Sequence, residues 1–440
     1  MPSLYSDIRK LAIPAIISNI TVPLLALVDT AIVGHLGDAA YIGAVAVGSL
    51  LLNVLAWLFG FLRMGTGGLT AQAYGRKDAV AAEHILLRSL LLGLLLAALM
   101  LVLRPWVMAA ALALMQPSPA VAMHAGHYFG IALWGLPATL ALYVFTGWFV
   151  GLQNGRFPMY VALVQNVANI ALSFAFVYGA GWGMLGVAWG TVVAQYIGLG
   201  LAVGLYIRYL RYAAAYTAVY EALRQGKAWR ELFGVNRDIF LRTLCLMAVT
   251  MSFTAMGTRQ GDVVLAANAL LLQFFMLFSY VMDGYAYAGE ALAGRFLGAQ
   301  DAKHFVLLVR VLFRIGVWTA VCFTLLYVLG GSLLLQVLTS EIQVRALAET
   351  YLPWVYAIPM VSFAAFLYDG IYIGTTRTRG MLQSMLVAML AFFATLVLLY
   401  PLLENHALWA AQLIYLGTRG LMQRLLFVKV QRLWPEITQN

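Results

Sequence analysis

Residues 11–34 read LAIPAIISNITVPLLALVDTAIVG, an apolar run long enough to cross a bilayer, with a single charged residue, Asp29, inside it. A charge near the bilayer centre costs about 2.5–3.5 kcal/mol on insertion scales, so such a residue usually faces a cavity, a partner or an ion path. Pro14 and Pro23 lie in the same run. Each removes a backbone donor, which favours a bent helix whose freed carbonyls find partners inside a bundle. A titratable group on a bendable membrane helix points to transport.

Working outward, the whole chain has the same character: 63% of its 440 residues are hydrophobic and 10% charged, which excludes a soluble globular protein. The first apolar run is too long for a signal-peptide core and has no small-residue cleavage pattern, so it is expected to be a retained span. Cys245 and Cys322 both sit in apolar segments, as small buried hydrophobes rather than a disulfide or a metal site. The net charge of +10 is scattered between apolar runs, where it sets topology and meets lipid, and no basic stripe suited to nucleic acid is present.

Hydropathy predicts an all-α polytopic membrane protein with twelve spans, at 11–34, 42–70, 85–110, 124–149, 158–179, 183–207, 238–257, 264–293, 305–335, 350–374, 381–403 and 407–428. Arg9, Lys10, Arg76, Lys77, Arg156, Arg208, Arg211, Arg224, Lys227, Arg230, Arg377, Arg379, Arg424 and Lys429 fall on one side, against Arg259 and Arg345 on the other. That bias puts both termini in the cytoplasm. The longest loop divides the chain into an N-lobe (1–207, helices 1–6), a cytoplasmic linker (208–237) and a C-lobe (238–440, helices 7–12). A shift of 223 positions lays Gly147, Gly151 and Arg156 on Gly370, Gly374 and Arg379, Gly34 on Gly257, and Gly75-Arg-Lys-Asp78 on Gly298-Ala-Gln-Asp301. Six spans per half keep the repeats in one orientation, related by an axis along the membrane normal, with a cavity expected between them.

TVPLLALVDTAIVGHLG, the GGLTAQAYG end of the second span, NRDI, DGYAYAGEA, LYDGIYIGTTR and NHALW, in that order along essentially the whole chain, resemble the multidrug and toxic compound extrusion (MATE) transporters, and most of all their DinF branch. The resemblance implies two pseudo-symmetric six-helix lobes and efflux of hydrophobic, often cationic compounds in exchange for protons or sodium. It implies that Asp29 is the cation-coupling acid of the N-lobe, beside the bending point at Pro23, with Asn169 on the fifth span and Thr191 on the sixth as partners. Many relatives carry a second acid one turn after that asparagine; Ser173 stands there in this chain. Hard cations want several oxygen ligands, preferably with more than one carboxylate, whereas one desolvated carboxylate suffices for a proton. Proton coupling is therefore expected, with sodium coupling as the alternative.

Asp283 and Asp369 are candidate acids of the C-lobe cavity, able to attract a cationic substrate or to serve packing alone; the seventh span has no carboxylate between Asp238 and Asp262 to complete a sodium site with Asp369. Glu290, seven residues after Asp283, is near a cytoplasmic helix end and is expected to snorkel. No nucleophile with a base and no His-and-acid cluster indicates an enzyme; His124 and His127 have no acid pattern nearby. A lipid or lipid-linked-precursor flippase of the same superfamily is the competing reading. It would want a strongly basic cavity, whereas the deep charges read from the sequence are mainly Asp29, Asp283 and Asp369. The expectation is thus a monomeric antiporter of the bacterial inner membrane, its partners small hydrophobic or cationic substrates and membrane lipids, with no cofactor or metal beyond the coupling proton.

Overall fold

A computed structural model describes residues 2–36, 39–210 and 215–431. Arg211, counted above among the cytoplasmic basic residues, lies outside the described residues, as does the segment 432–440. The described chain is helical from end to end: α1 (Pro2–Gly34), α2 (Ala39–Phe59), α3 (Phe61–Gly75), α4 (Ala79–Met115), α5 (Pro119–Ala132), α6 (Leu136–Gly151), α7 (Arg156–Phe174), α8 (Met184–Leu210), α9 (Ala215–Arg224), α10 (Gly226–Thr258), α11 (Asp262–Gly298), α12 (Ala302–Leu338), α13 (Ile342–Gly374), α14 (Thr378–Leu403) and α15 (Asn405–Gln431). Helices α2 and α3 share one span, as do α5 and α6, so eleven stretches among the described residues are long and apolar enough to cross a membrane. The twelfth expected span, α15, falls short by hydropathy because Asn405, Gln412, Arg419 and Gln423 interrupt it. All four are buried in protein, which explains how so polar a helix belongs in the bundle.

The chain divides into two compact units, one of Ile13–Phe233 and one of Gly234–Asn440 together with Met1–Ala12. The first twelve residues, placed in the N-lobe by the sequence, thus belong with the second half. Leu4, Ile8, Leu11 and Ala12 are buried there, and Asp7 pairs with Arg295 at 3.6 Å. The stretch read as a linker, 208–237, is largely helical, comprising α9 and the first turns of α10.

The 223-residue repeat is written into the backbone. Asp78 and Asp301 each cap the following helix, accepting from the N–H of Ala81 (2.9 Å) and His304 (3.0 Å). The preceding Lys77 and Gln300 have φ of 58° and 56°, and Gln153 and Thr376, after the repeat-related α6 and α13, have 64° and 53°. Four glycines let backbones touch: a Cβ on Gly147 or Gly370 would lie 2.1 Å from the carbonyl oxygen of Arg63 or Ala286. One turn on, a Cβ on Gly151 would lie 2.8 Å from the carbonyl oxygen of Gly67, and one on Gly374 2.2 Å from that of Glu290. Small residues four apart allow this close packing where no hydrophobic driving force separates helix from lipid. GWFVG (147–151) and GIYIG (370–374) therefore mark the same helix crossing, once in each half.

Polar bonds add to it. In the second unit Asn268 and Asn405 exchange amide hydrogen bonds of 2.8 and 3.0 Å, and Trp409 Nε1 donates to Asn268 Oδ1 at 2.9 Å. This is the structural content of the NHALW stretch, whose Asn and Trp lie one turn apart on one face of α15.

Candidate functional site

Helix α1 remains helical through both prolines. The Ser18 hydroxyl donates back to the Pro14 carbonyl (2.9 Å) and the Thr21 hydroxyl to that of Ser18 (2.7 Å), so side chains reinforce the turns between Pro14 and Pro23. Thr21 in turn accepts from Asn166 Nδ2 of α7 at 2.9 Å, tying α1 to α7 two residues before Pro23. Pro23 itself is half-buried.

Asp29 sits two turns further along, half-buried. Its Oδ1 is buried and has no hydrogen-bond partner among the described residues. Tyr128 of α5 is the aromatic neighbour close enough to feel its charge, and the Tyr128 hydroxyl shares a 3.4 Å hydrogen bond with that of Ser49. A buried carboxylate oxygen that lacks a partner leaves room for a proton or a passing donor, since desolvation without compensation is costly.

The expected partners form a chain of their own. Asn169 Nδ2 donates to Thr191 Oγ1 at 2.9 Å, Thr191 Oγ1 donates to the Val187 carbonyl at 3.0 Å, and Ser173 Oγ donates to Asn169 Oδ1 at 3.4 Å. Asn169 and Ser173 are buried, and Gly190 is packed so tightly on Ser173 that a Cβ would lie 2.7 Å from its hydroxyl. Among the described residues no hydrogen bond joins this chain to Asp29. A π-helical stretch, Ala175–Gly179, follows α7, and the Tyr178 hydroxyl reaches the Ile32 carbonyl of α1 at 3.4 Å. Asn166 and Tyr178 are the contacts from α7 and its π turn to α1 that the sequence reading passed over. The signal was present, because Asn166 and Asn169 stand three apart in one apolar helix and so share a face.

In the second unit Asp369, on α13, is buried and fully engaged. Arg242 of α10 and Arg419 of α15 each donate through Nη2 to its Oδ2, and Gln423 Nε2 donates to its Oδ1. Arg419 also lies over the Phe366 ring, 5.9 Å from its centroid. Asp283, half-buried on α11, acts electrostatically on both arginines. The group therefore holds two guanidinium charges against two carboxylates. This corrects the expectation that the deep charges are mainly acidic, because Arg242 and Arg419 sit as deep as Asp369. Each arginine stood inside a predicted apolar span, which by itself calls for an acidic partner. Glu290, expected to snorkel, is instead 1% exposed.

The comparisons with known proteins agree with this duplicated plan. The MatE family model matches residues 14–175 and again 239–400, once in each half. The chain is 39% identical over 411 residues to DNA damage-inducible protein F of Escherichia coli (strain K12), covering 93% of this chain and 89% of that one. It is 28% identical over 282 residues to a probable multidrug resistance protein NorM of Rhizobium meliloti (strain 1021), covering 62% of this chain and 59% of the relative. Its fold matches the Vibrio cholerae MATE transporter VcmN in the bent form with a TM-score of 0.88 and 18% identity, covering 99% of both chains. The doubled family match, the long relative and the shared twelve-span fold together show that the chain belongs to the MatE family and is a multi-pass membrane transporter, not an enzyme.

Proposed function

We propose that this protein is a proton-coupled antiporter that exports hydrophobic, cationic compounds across a bacterial inner membrane, with Asp29 as the proton site. The observation that carries this reading is a contrast between two acids within the membrane spans. Asp369 is held by two arginines and a glutamine, whereas Asp29 Oδ1 has no hydrogen-bond partner among the described residues. Only an acid without a fixed cation is able to exchange a proton for a positively charged substrate at little structural cost.

In the proposed cycle Asp29 takes a proton from the outside, releases substrate outward, and gives the proton up toward the cytoplasm in the alternate state. The joint at Thr21–Pro23, tied by Asn166, sits where α1 would rebend. Asn169, Ser173 and Thr191 act on the site through packing of α7 against α8, since their side-chain hydrogen bonds stay within those two helices. The protein works as a monomer with both termini in the cytoplasm, as the basic-residue bias supports. Arg242 and Arg419 do not favour the flippase alternative: both donate to Asp369 with Asp283 as a second acid acting on them, so this pair offers no excess charge to a phosphate.

The deciding experiment uses sealed vesicles containing the purified protein and a fluorescent lipophilic cation. An imposed pH gradient drives dye movement in wild type and not in Asp29→Asn, and a sodium gradient at constant pH does nothing. Dye movement driven by sodium without a pH difference overturns the proton reading, and movement of a labelled phospholipid in place of the cation supports the flippase.

A further inference from the structure

Helix α9 (Ala215–Arg224) joins α8 to α10, and its two sides differ in chemistry. One side is clasped by the first unit. Ala222 is fully buried, Arg88 Nε of α4 donates to its carbonyl at 2.7 Å, and Arg88 Nη2 donates to Gln225 Oε1 at 2.8 Å. Trp229 Nε1 caps the Leu223 carbonyl at 3.0 Å. These bonds satisfy the carbonyls that a helix end leaves open and hold α9 in one rotational setting. The acids Glu221 and Glu231 line a cavity of about 360 Å³ against Arg76, His84 and Arg88 of the same unit.

Among the described residues the other side is uncovered. Tyr220 is 65% exposed and Phe233 51%, with Leu223 and Val219 also open, and Trp229 stacks on Phe233 at 5.6 Å between ring centroids. Exposed Arg224, Lys227 and Arg230 surround these apolar groups, and Arg224 lies 5.8 Å over the Tyr220 ring. Glu221 and Glu231 are exposed too, but Arg224, Lys227 and Arg230 outnumber them, so the surface combines aromatic side chains with an excess of positive charge. Met184–Arg208 ends shortly before this surface and Gly226–Thr258 begins within it, and both are long and apolar enough to cross a membrane, which tethers the surface close to the membrane plane.

We infer that this face of the α9–α10 junction is a lipid-docking surface that takes the anionic headgroups of the cytoplasmic leaflet. Tyr220, Leu223 and Phe233 enter the interface while Arg224, Lys227 and Arg230 meet the lipid phosphates. Tyrosine and tryptophan favour the headgroup level, and basic groups beside an apolar helix face add attraction to an anionic surface. The inference rests on the cytoplasmic placement of this loop and is independent of which ion drives transport.

The test is a fluorophore on Tyr220→Cys in the full chain with Cys245→Ala and Cys322→Ala, reconstituted in vesicles of phosphatidylcholine alone or mixed with phosphatidylglycerol. Both preparations carry acyl-chain-brominated lipid as quencher. Quenching by brominated lipid is expected in the phosphatidylglycerol vesicles, with protection from aqueous acrylamide. Each cation removed by Arg224→Gln, Lys227→Gln or Arg230→Gln should weaken the docked state about fivefold, and raised salt should act in the same direction. Equal quenching in both lipids that ignores the three substitutions overturns the anionic-headgroup assignment. Free acrylamide access in both overturns lipid docking altogether, and energy transfer between labelled copies in place of lipid quenching identifies a second chain as the occupant. None of these readings depends on transport, so a failed gradient assay leaves them intact.

Discussion

Replacing Asp369 with Asn removes the counter-ion from Arg242 and Arg419 while keeping the shape of the side chain. Both arginines are buried, at 7% and 4% exposure, and both donate to the same carboxylate oxygen. Breaking a buried ion pair by deleting one partner costs about 3–5 kcal/mol, because a charge is left without compensation. Asn retains one acceptor oxygen and Asp283 still faces the arginines, so the lower end, about 3 kcal/mol, applies. For a unit of some two hundred residues a loss of 1 kcal/mol lowers the melting temperature by about 2–4 °C, giving an expected drop of about 6–12 °C. The assay is thermal unfolding of detergent-solubilised protein followed by size-exclusion chromatography. Adding Arg419→Met to Asp369→Asn should restore roughly half of the loss, since removing both members of a pair leaves fewer stranded charges than removing one. An Asp369→Asn protein that melts like wild type, while changing its preference among cationic dyes, refutes the clamp and makes Asp369 a free cavity acid.

Asp29→Asn should abolish dye efflux and proton counterflow while leaving melting temperature and folded yield near wild type, because Oδ1 gives up no hydrogen bond among the described residues; vesicle transport and thermal unfolding read the two outcomes separately. Gly147→Ala and Gly370→Ala should each cost about 1–3 kcal/mol by forcing a Cβ onto a facing carbonyl, with similar losses of folded yield in chromatography if the repeat is structural. Asn268→Leu should cost about 1–3 kcal/mol by leaving Asn405 and Trp409 without their partner, again seen as a lowered melting temperature. Cysteines at Lys77 and Gln300 should label only from the cytoplasmic side, and cysteines at Gln116 and Thr339 only from outside; the reverse pattern would invert the topology.

Membrane class, helical fold and duplication were legible along the chain because each is a local or periodic property. Apolar runs of span length announce helices wherever they occur, since an unpaired backbone is not tolerated in lipid. A glycine pair such as Gly147 and Gly151 reappears at Gly370 and Gly374 because the same crossing is built twice. Asp29 stood out for a similar reason: a lone acid in an apolar run needs no neighbour to be conspicuous.

Whether a buried charge has a partner is another matter, because the partner comes from elsewhere in the chain. Asp369 meets Arg242 from 127 positions away and Arg419 from 50, and only folding shows that the acid is already neutralised. The same holds for the first twelve residues, whose buried side chains place them with the second half, and for α15, whose Asn405, Gln412, Arg419 and Gln423 look unfit for a membrane until they are seen to face protein. Hydropathy records what a residue costs in lipid, whereas tertiary packing decides whether lipid is what it meets.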